Sequence, residues 1–147
     1  MDIEAFMQRY RAAWEASDEH QLTALFAPDG VYHNTPFAEQ RGHAAIAAYW
    51  QRTKLQSDIR VTYEILSRHA RGGIAHWHVT YQVTSEELFR IWAASTGTNV
   101  LARKPGDPLP RLALDGIATI ELGDDGLCRH FRLWWHSIVV PEQPKET

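Results

Sequence analysis

The spacing of apolar residues predicts a helix at the start of the chain. Its members recur at steps of three and four and form one apolar stripe, made up of Ile3, Phe6, Met7, Tyr10, Ala13 and Trp14. Asp18 followed by Gln21 is typical of a capping box and predicts the start of a second helix. A third helix is predicted over about residues 43–53, with Tyr49 and Trp50 on its apolar side.

Between the second and third helices, the chain carries strong turn signals around a short strand. Pro28 and the pair Asp29-Gly30 predict the end of the helix and a turn. Residues 31–35 then form a strand, which Pro36 ends because proline lacks the backbone N–H that a strand donates.

From residue 59 onward the apolar period changes to two, which predicts strands with one buried face and one polar face. The strands are predicted over residues 59–65, 74–84, 112–122 and 127–140. Turns are expected at Arg71-Gly72-Gly73 and at residues 123–126. Helices followed by a meander of strands indicate an α+β domain.

The segment from Ser85 to Pro110 fits this pattern least well. Residues 85–87 resemble a helix start, Phe89 and Trp92 follow, and residues 103–110 are rich in helix breakers. We predict a short helix or irregular flap and then a loop. Such a flap either covers a pocket as a lid or forms a separate hydrophobic cluster.

Length and composition indicate one globular domain. The chain has 147 residues, of which 44% are hydrophobic and 22% charged. We expect a single domain over residues 1–140 and a loose, polar tail over residues 141–147. The lone Cys128 is expected to be free and buried, which suits a reducing compartment and predicts a cytoplasmic protein.

The distribution of charge argues against two classes of partner. The formal net charge is −3 and no basic stripe is present, so no nucleic-acid partner is expected. No apolar run approaches the roughly 20 residues of a membrane helix, so no membrane partner is expected.

Several phrases of the sequence resemble the nuclear transport factor 2-like superfamily, in particular its SnoaL-like branch. They are Gln8-Arg9-Tyr10, residues 25–32, Arg41-Gly42 and residues 126–136. The resemblance implies a cone-shaped, curved mixed sheet wrapped around the N-terminal helices, an α+β barrel with a deep apolar pocket. It also implies a homodimer formed through the outer face of the sheet. Members include ketosteroid isomerase, scytalone dehydratase, limonene epoxide hydrolase and polyketide cyclases.

The resemblance gives catalytic positions that this chain fills only in part. Tyr10 falls where ketosteroid isomerase has its oxyanion-hole tyrosine, and Asn34 falls where that enzyme has its aspartate base. An amide does not accept a proton at neutral pH, so the isomerase activity is not carried over. Ala118 and Leu133 stand at places where relatives have further acidic pocket residues.

The histidines supply the remaining acid-base chemistry. His76 and His78 share one face of a strand, and Trp77, Val79 and Tyr81 share the other. If the polar face lines the pocket, His78 is a general base beside Tyr10 and Asn34. If the apolar face turns inward, both histidines lie on the outside of the sheet. No metal or other cofactor is predicted, because no carboxylate accompanies the histidines at a recognisable ligand spacing.

Aromatic and apolar side chains of several elements are predicted to line the pocket and to bind a small hydrophobic molecule. They are Trp14, Tyr32, Tyr49, Trp50, Phe131, Leu133 and Trp135. On the last strand Arg132, Trp134 and His136 alternate with the inward residues, so Trp134 is a candidate dimer anchor. Packing of Trp134 under a loop or the tail explains the same pattern.

Two functions are therefore predicted. The first is a noncatalytic binding or accessory protein that keeps a hydrophobic pocket. The alternative is a cofactor-free lyase, isomerase or cyclase acting on a hydrophobic cyclic or polyketide-like substrate. In the alternative, Tyr10 and Asn34 polarise an oxygen and His78 moves the proton.

Overall fold

A computed structural model describes residues 1–96 and 103–141 of the chain. The helices are α1 (Ile3–Glu15), α2 (Glu19–Thr23), α3 (Gly42–Trp50) and α4 (Glu86–Thr96), and a short 3-10 helix, Gln51–Leu55, follows α3. The strands are β1 (Phe26–Thr35), β2 (Ala38–Arg41), β3 (Gln56–His69), β4 (Gly72–Val83), β5 (Arg111–Leu122) and β6 (Cys128–Val139). Most of the predicted tail, residues 142–147, lies outside the described residues.

The six strands form one mixed sheet in the order β2-β1-β6-β5-β4-β3. β1 runs parallel to β6, and the other neighbouring strands are antiparallel. The predicted α+β class with a curved mixed sheet around N-terminal helices is confirmed. The sheet is not closed, and β2 and β3 are its edges.

Helix α1 packs its apolar stripe against the concave inner face of the sheet. Asp2 caps the helix by accepting a hydrogen bond from the backbone N–H of Ala5. All six residues of the predicted stripe are buried. Phe6 and Tyr10 contact the ring of Phe131 on β6, with ring centroids 5.4 and 5.1 Å apart, so the helix and the sheet share one aromatic core.

Asp18 caps the start of α2 as predicted, but the capping box is not complete, because the Asp18 backbone N–H donates to the Ala13 carbonyl oxygen and not to the Gln21 side chain. The Asp18 carboxylate accepts hydrogen bonds from the backbone N–H groups of His20 and Gln21. The Gln21 side chain also donates to this carboxylate. Satisfying the free N–H groups of the first turn is what allows a helix of five residues to form here.

The predicted turn at residues 28–30 is wrong, because β1 runs through it from Phe26 to Thr35. Parallel pairing with β6 holds the segment extended, although the register shifts between Phe26 and Val31. Gly30 is needed there, since a Cβ would lie 2.7 Å from the Cys128 carbonyl oxygen. β2 was not predicted; it begins at Ala38, two residues after Pro36, and pairs with β1.

Candidate functional site

A cavity of about 70 Å³ lies between the inner face of the sheet, the end of α3 and helix α4. Every strand except β2 contributes a side chain to the wall of the cavity, as do the helices α1, α3 and α4. The lining residues are Trp14, Tyr32, Tyr49, Trp50, Arg52, Thr53, Gln56, Tyr81, Leu88, Ile91, Trp92, Ser95, Leu114, Leu133 and Trp135. The wall is thus mainly aromatic, which is the usual character of a small-molecule site.

The structure places most of the predicted pocket residues around this cavity. Trp14, Tyr32, Tyr49, Trp50, Leu133 and Trp135 all line it. Phe131 instead lies fully buried in the aromatic core beside Phe6 and Tyr10. Its ring packs against α1, which covers this part of β6. The binding role of all seven residues stays a prediction.

Tyr10 lies one layer behind the cavity wall. It is completely buried and does not line the cavity, and its hydroxyl lies 3.2 Å from the hydroxyl of Tyr32, which does. Burial, reinforced by the neighbouring Tyr32, raises the pKa of Tyr10 well above its ordinary value. Both phenols are therefore protonated at neutral pH, and Tyr10 positions Tyr32.

Asn34 lies at the end of β1 and is outside the residues that line the cavity. Its backbone carbonyl accepts a 2.7 Å hydrogen bond from the indole N–H of Trp135. Its side-chain oxygen accepts a longer bond, 3.4 Å, from Gln40. Asn34 therefore fixes the ring of Trp135 in the wall through its backbone.

The hypothesis that His78 is a general base beside Tyr10 and Asn34 is wrong. Trp77, Val79 and Tyr81 of β4 are buried on the inner face, so His78 points to the outer face of the sheet. Its side chain is 45% exposed, and its Nδ1 lies 3.0 Å from the Asp115 carboxylate. A strand that covers a core buries its apolar side, so the polar side of β4, which carries His78, faces away from the cavity.

The outer face carries a small ionic cluster around His76. One ring nitrogen lies 2.8 Å from Asp115 and the other 3.1 Å from Glu64. The hydrogen bond with Asp115, and then that with Glu64, raises the pKa of His76 above its ordinary value. Within residues 1–96 and 103–141 no group of three or more side chains is arranged to hold a metal ion.

The cavity residues that were not predicted from the sequence include Arg52, Gln56 and Tyr81. Tyr81 follows from the alternation of β4 once the inner face is known, because it lies two residues from Val79. Arg52 and Gln56 lie in and just after the 3-10 helix. No hydrophobic period marks them as inward residues.

The polar groups of the cavity are hydrogen-bond donors. Burial raises the pKa of Tyr32, Tyr49 and Tyr81, and the positive charge of Arg52 acts in the opposite direction on all three phenols. Arg52 lines the same cavity as these phenols, and its guanidinium carbon lies 3.9 Å from the centroid of the Tyr49 ring. The phenols stay protonated at neutral pH, and a guanidinium is always charged, so the cavity presents donors beside a fixed cation.

Helix α4 closes one side of the cavity with Leu88, Ile91 and Trp92. The indole N–H of Trp92 donates a 2.7 Å hydrogen bond to the Ser137 hydroxyl on β6. At the start of α4, Glu86 binds Arg103 through both carboxylate oxygens, at 2.5 and 2.7 Å. The predicted short helix is confirmed, and it covers the cavity instead of forming a separate cluster. Residues 97–102 of the predicted flap lie outside the described residues.

Comparison with known proteins assigns this architecture to a family. The SnoaL-like domain model matches residues 7–131, and the chain belongs to that family. No curated protein matches the sequence significantly. No helix in the described part of the chain is long and apolar enough to cross a membrane.

Solved structures of several proteins share the fold. A Δ5-3-ketosteroid isomerase from Mycobacterium sp. is 19% identical, with a TM-score of 0.61 over 91% of this chain and 92% of that one. SalBIII, an epoxide hydrolase/cyclase-like enzyme of pyran ring formation in salinomycin, is 11% identical, with a TM-score of 0.63 over 93% and 95%. TsrD from Streptomyces laurentii is 17% identical, with a TM-score of 0.63 over 90% and 87%. These similarities establish the fold alone.

The arrangement has clear chemical limits. Among the described residues that line the cavity there is no carboxylate and no imidazole. Such a site offers no side chain that accepts a proton near neutral pH. It does offer phenol and guanidinium donors, which stabilise negative charge on a bound oxygen.

Proposed function

We propose that this protein is a noncatalytic binding or accessory protein that holds a small hydrophobic molecule in the aromatic cavity. One observation carries the proposal: the described wall of the cavity is aromatic and contains no carboxylate or imidazole. Stacking against tryptophan and tyrosine rings supplies affinity. The lack of a proton acceptor in that wall favours binding over acid-base turnover.

The volume of the cavity sets a condition on the ligand. About 70 Å³ is near half of the roughly 150 Å³ of an engineered cavity that binds benzene. A ring therefore enters only if part of the wall moves outward. Helix α4 is the part that we expect to move, because few polar contacts hold it in place. They include the bond of Trp92 with Ser137 and that of Glu86 with Arg103.

The test compares two Leu→Phe substitutions. Leu133→Phe adds a ring inside the cavity, and Leu66→Phe adds the same ring on the outer face, where Leu66 is exposed. Binding of naphthalene-type compounds is followed by quenching of tryptophan fluorescence. We expect saturable quenching in the unaltered protein and in Leu66→Phe, and its loss in Leu133→Phe. Equal binding by both variants would contradict the proposal.

The alternative remains a lyase, isomerase or cyclase on a hydrophobic cyclic substrate. The phenol pair Tyr10–Tyr32 and the donors around the cavity support it, since they can stabilise an anionic oxygen. Any proton acceptor must then come from outside the described wall. Because His78 faces outward, His78→Ala should leave such turnover unchanged. Turnover that depends on His78 would overturn this placement of the chemistry.

A homodimer through the outer face of the sheet is part of the proposal. Trp134 is 44% exposed there, between Arg132 and His136, and exposed Leu66 and Ile138 lie on the same face. Trp134→Glu should shift the protein toward monomer in sedimentation velocity. Gln8→Glu is the control, because it adds the same negative charge at an exposed position of α1. A monomer before substitution would refute this part.

We further propose a cytoplasmic location. Its support is Cys128, which is free and completely buried, as expected of a protein in a reducing compartment.

A further inference from the structure

We infer that Arg52 makes the cavity selective for a small aromatic carboxylate. The inference rests on the proposed binding function and names the chemical class of its ligand. Its basis is a guanidinium fixed at the wall of an aromatic cavity, next to donors and without a protein counter-charge among the described residues.

Arg52 is held in place by Tyr49. The guanidinium carbon lies 3.9 Å from the centroid of the Tyr49 ring, and the Arg52 Nε–H donates a 3.1 Å hydrogen bond to the Tyr49 carbonyl oxygen. Within the described residues the two terminal nitrogens make no hydrogen bond, and Arg52 lines the cavity. A planar guanidinium held in this way is ready to bind the two oxygens of a carboxylate.

The charge of Arg52 is not balanced by the protein. Arg103 pairs with Glu86 and Arg111 pairs with Asp58, whereas no carboxylate of residues 1–96 and 103–141 forms an ion pair with Arg52. A half-buried cation without an anionic partner favours an anion supplied by a ligand. Because Arg52 keeps some contact with water, the carboxylate need not lose all of its hydration.

Gln56 adds a donor beside Arg52. The indole N–H of Trp14 can only donate, and it donates a 2.8 Å hydrogen bond to the Gln56 side-chain oxygen. This bond fixes which end of the amide faces Trp14. The NH2 group of Gln56 is then left to donate into the cavity, whereas the Tyr49 hydroxyl already has the Asn34 side chain as a hydrogen-bond partner. An ionised carboxylate, which only accepts hydrogen bonds, matches this set.

The rest of the wall selects the other end of the ligand. Trp14, Trp50, Trp92 and Trp135 line the same cavity with apolar rings. A flat aromatic ring packs against such surfaces. The small volume favours one ring, or two at most after outward movement of α4.

The test uses pairs of probes that differ only in charge. Benzoate is compared with benzamide, and 2-naphthoate with 2-naphthamide, by isothermal titration calorimetry at neutral pH. Each pair keeps the ring and changes the carboxylate to a neutral group of similar size. We expect the carboxylate of each pair to bind more tightly than the amide by about 10-fold or more, as a charge-assisted hydrogen bond predicts.

Variants assign the preference to Arg52. Arg52→Gln should weaken binding of the carboxylates more than binding of the amides, and so remove the preference. Arg60→Gln is the matched control, because Arg60 is exposed, away from the cavity, and its loss changes the net charge equally. Arg52→Lys keeps the charge but loses the planar fork, so it should keep only part of the preference.

The outcomes separate this inference from the proposed function. If amides bind as tightly as carboxylates in the unaltered protein, the inference is overturned and the binding function stands. The same holds if Arg52→Gln keeps the preference. If neither member of either pair binds, the proposed function fails and the inference fails with it. If Arg52→Gln does not fold, Arg52→Lys makes the assignment, and an unreduced preference in that variant overturns the inference.

Discussion

The hydrogen bond between the hydroxyls of Tyr10 and Tyr32 connects the core to the cavity wall, and a double-mutant cycle measures it. The two oxygens are 3.2 Å apart and both side chains are buried. Replacing either tyrosine by phenylalanine removes one hydroxyl and leaves the other in the buried site. Replacing both removes the bond and the unpaired group together.

The magnitudes follow from the surroundings of each hydroxyl. The separation is longer than the ~2.7–2.8 Å typical of O–H···O bonds, so we take the lower part of the usual net value, about 0.5–1 kcal/mol. A buried hydroxyl left unpaired costs about 1–3 kcal/mol more. Among the described residues the Tyr10 hydroxyl has no other hydrogen-bond partner. Tyr32 lines the cavity, which has room for water.

An order of stabilities follows. Tyr32→Phe leaves the Tyr10 hydroxyl unpaired and should cost about 2–3 kcal/mol of unfolding free energy. Tyr10→Phe leaves the Tyr32 hydroxyl where water can reach it and should cost about 1–2 kcal/mol. The double substitution should cost about 1–2 kcal/mol less than the sum of the single ones.

Urea unfolding followed by tryptophan fluorescence provides the measurement, with m-values compared to exclude changes in the unfolded state. Tyr63→Phe is the control, since Tyr63 is partly buried and its hydroxyl makes no hydrogen bond within the described part of the chain. Its effect should be small and additive with Tyr10→Phe. Additive effects of Tyr10→Phe and Tyr32→Phe, or the reverse order of their costs, would refute the reasoning.

Three further predictions concern the sheet. Gly116→Ala should destabilise the protein by about 1–3 kcal/mol, because its Cβ would lie 2.1 Å from the Trp134 carbonyl oxygen; an unchanged melting temperature would contradict the packing. Asp115→Asn should lower the pKa of His76 in an NMR titration, since Asp115 is the main cause that raises it. Because the pKa of His76 is raised on folding, protonated His76 stabilises the folded protein. This stabilisation is complete below about pH 6.5 and is lost as the pH rises through the raised pKa; a free energy of unfolding from this group that increased over the same pH range would contradict the assignment. The Cys128 thiol, whose pKa burial raises, should react with a thiol reagent only after denaturation, and rapid labelling of the native protein would disprove its burial.

Most of the fold could be predicted because its elements are strongly periodic. The apolar stripe of α1 and the alternation of the four long strands carry their own signal. The parts that failed depend on distant partners. Residues 28–30 look like a turn locally, but pairing with β6 keeps them extended. The short β2 exists through its pairing with β1, and four residues are too few for a periodic pattern.

The candidate site could be predicted only where it follows the alternation of strands. Leu133 and Trp135 were assigned to the cavity because they share the inner face of β6. For β4 the alternation left two faces open, and burial of Trp77 decides against His78. Arg52 had no signal at all, because its position depends on how the 3-10 helix follows α3.

Side-chain alternation divides the polar chemistry of this domain between the two faces of one sheet. His76, His78 and Asp115 interact on the outer face, while the strands contribute phenols, apolar groups and the Gln56 amide to the cavity. A slip of one residue in β4 would exchange these sets, so the division depends on register. Ala118 and Leu133, where the resemblance to catalytic relatives implies acidic residues, are paired across β5 and β6 on the inner face. The fold therefore still offers inward positions for a base, and this chain fills them with apolar side chains, which is the physical reason why we propose a binding function.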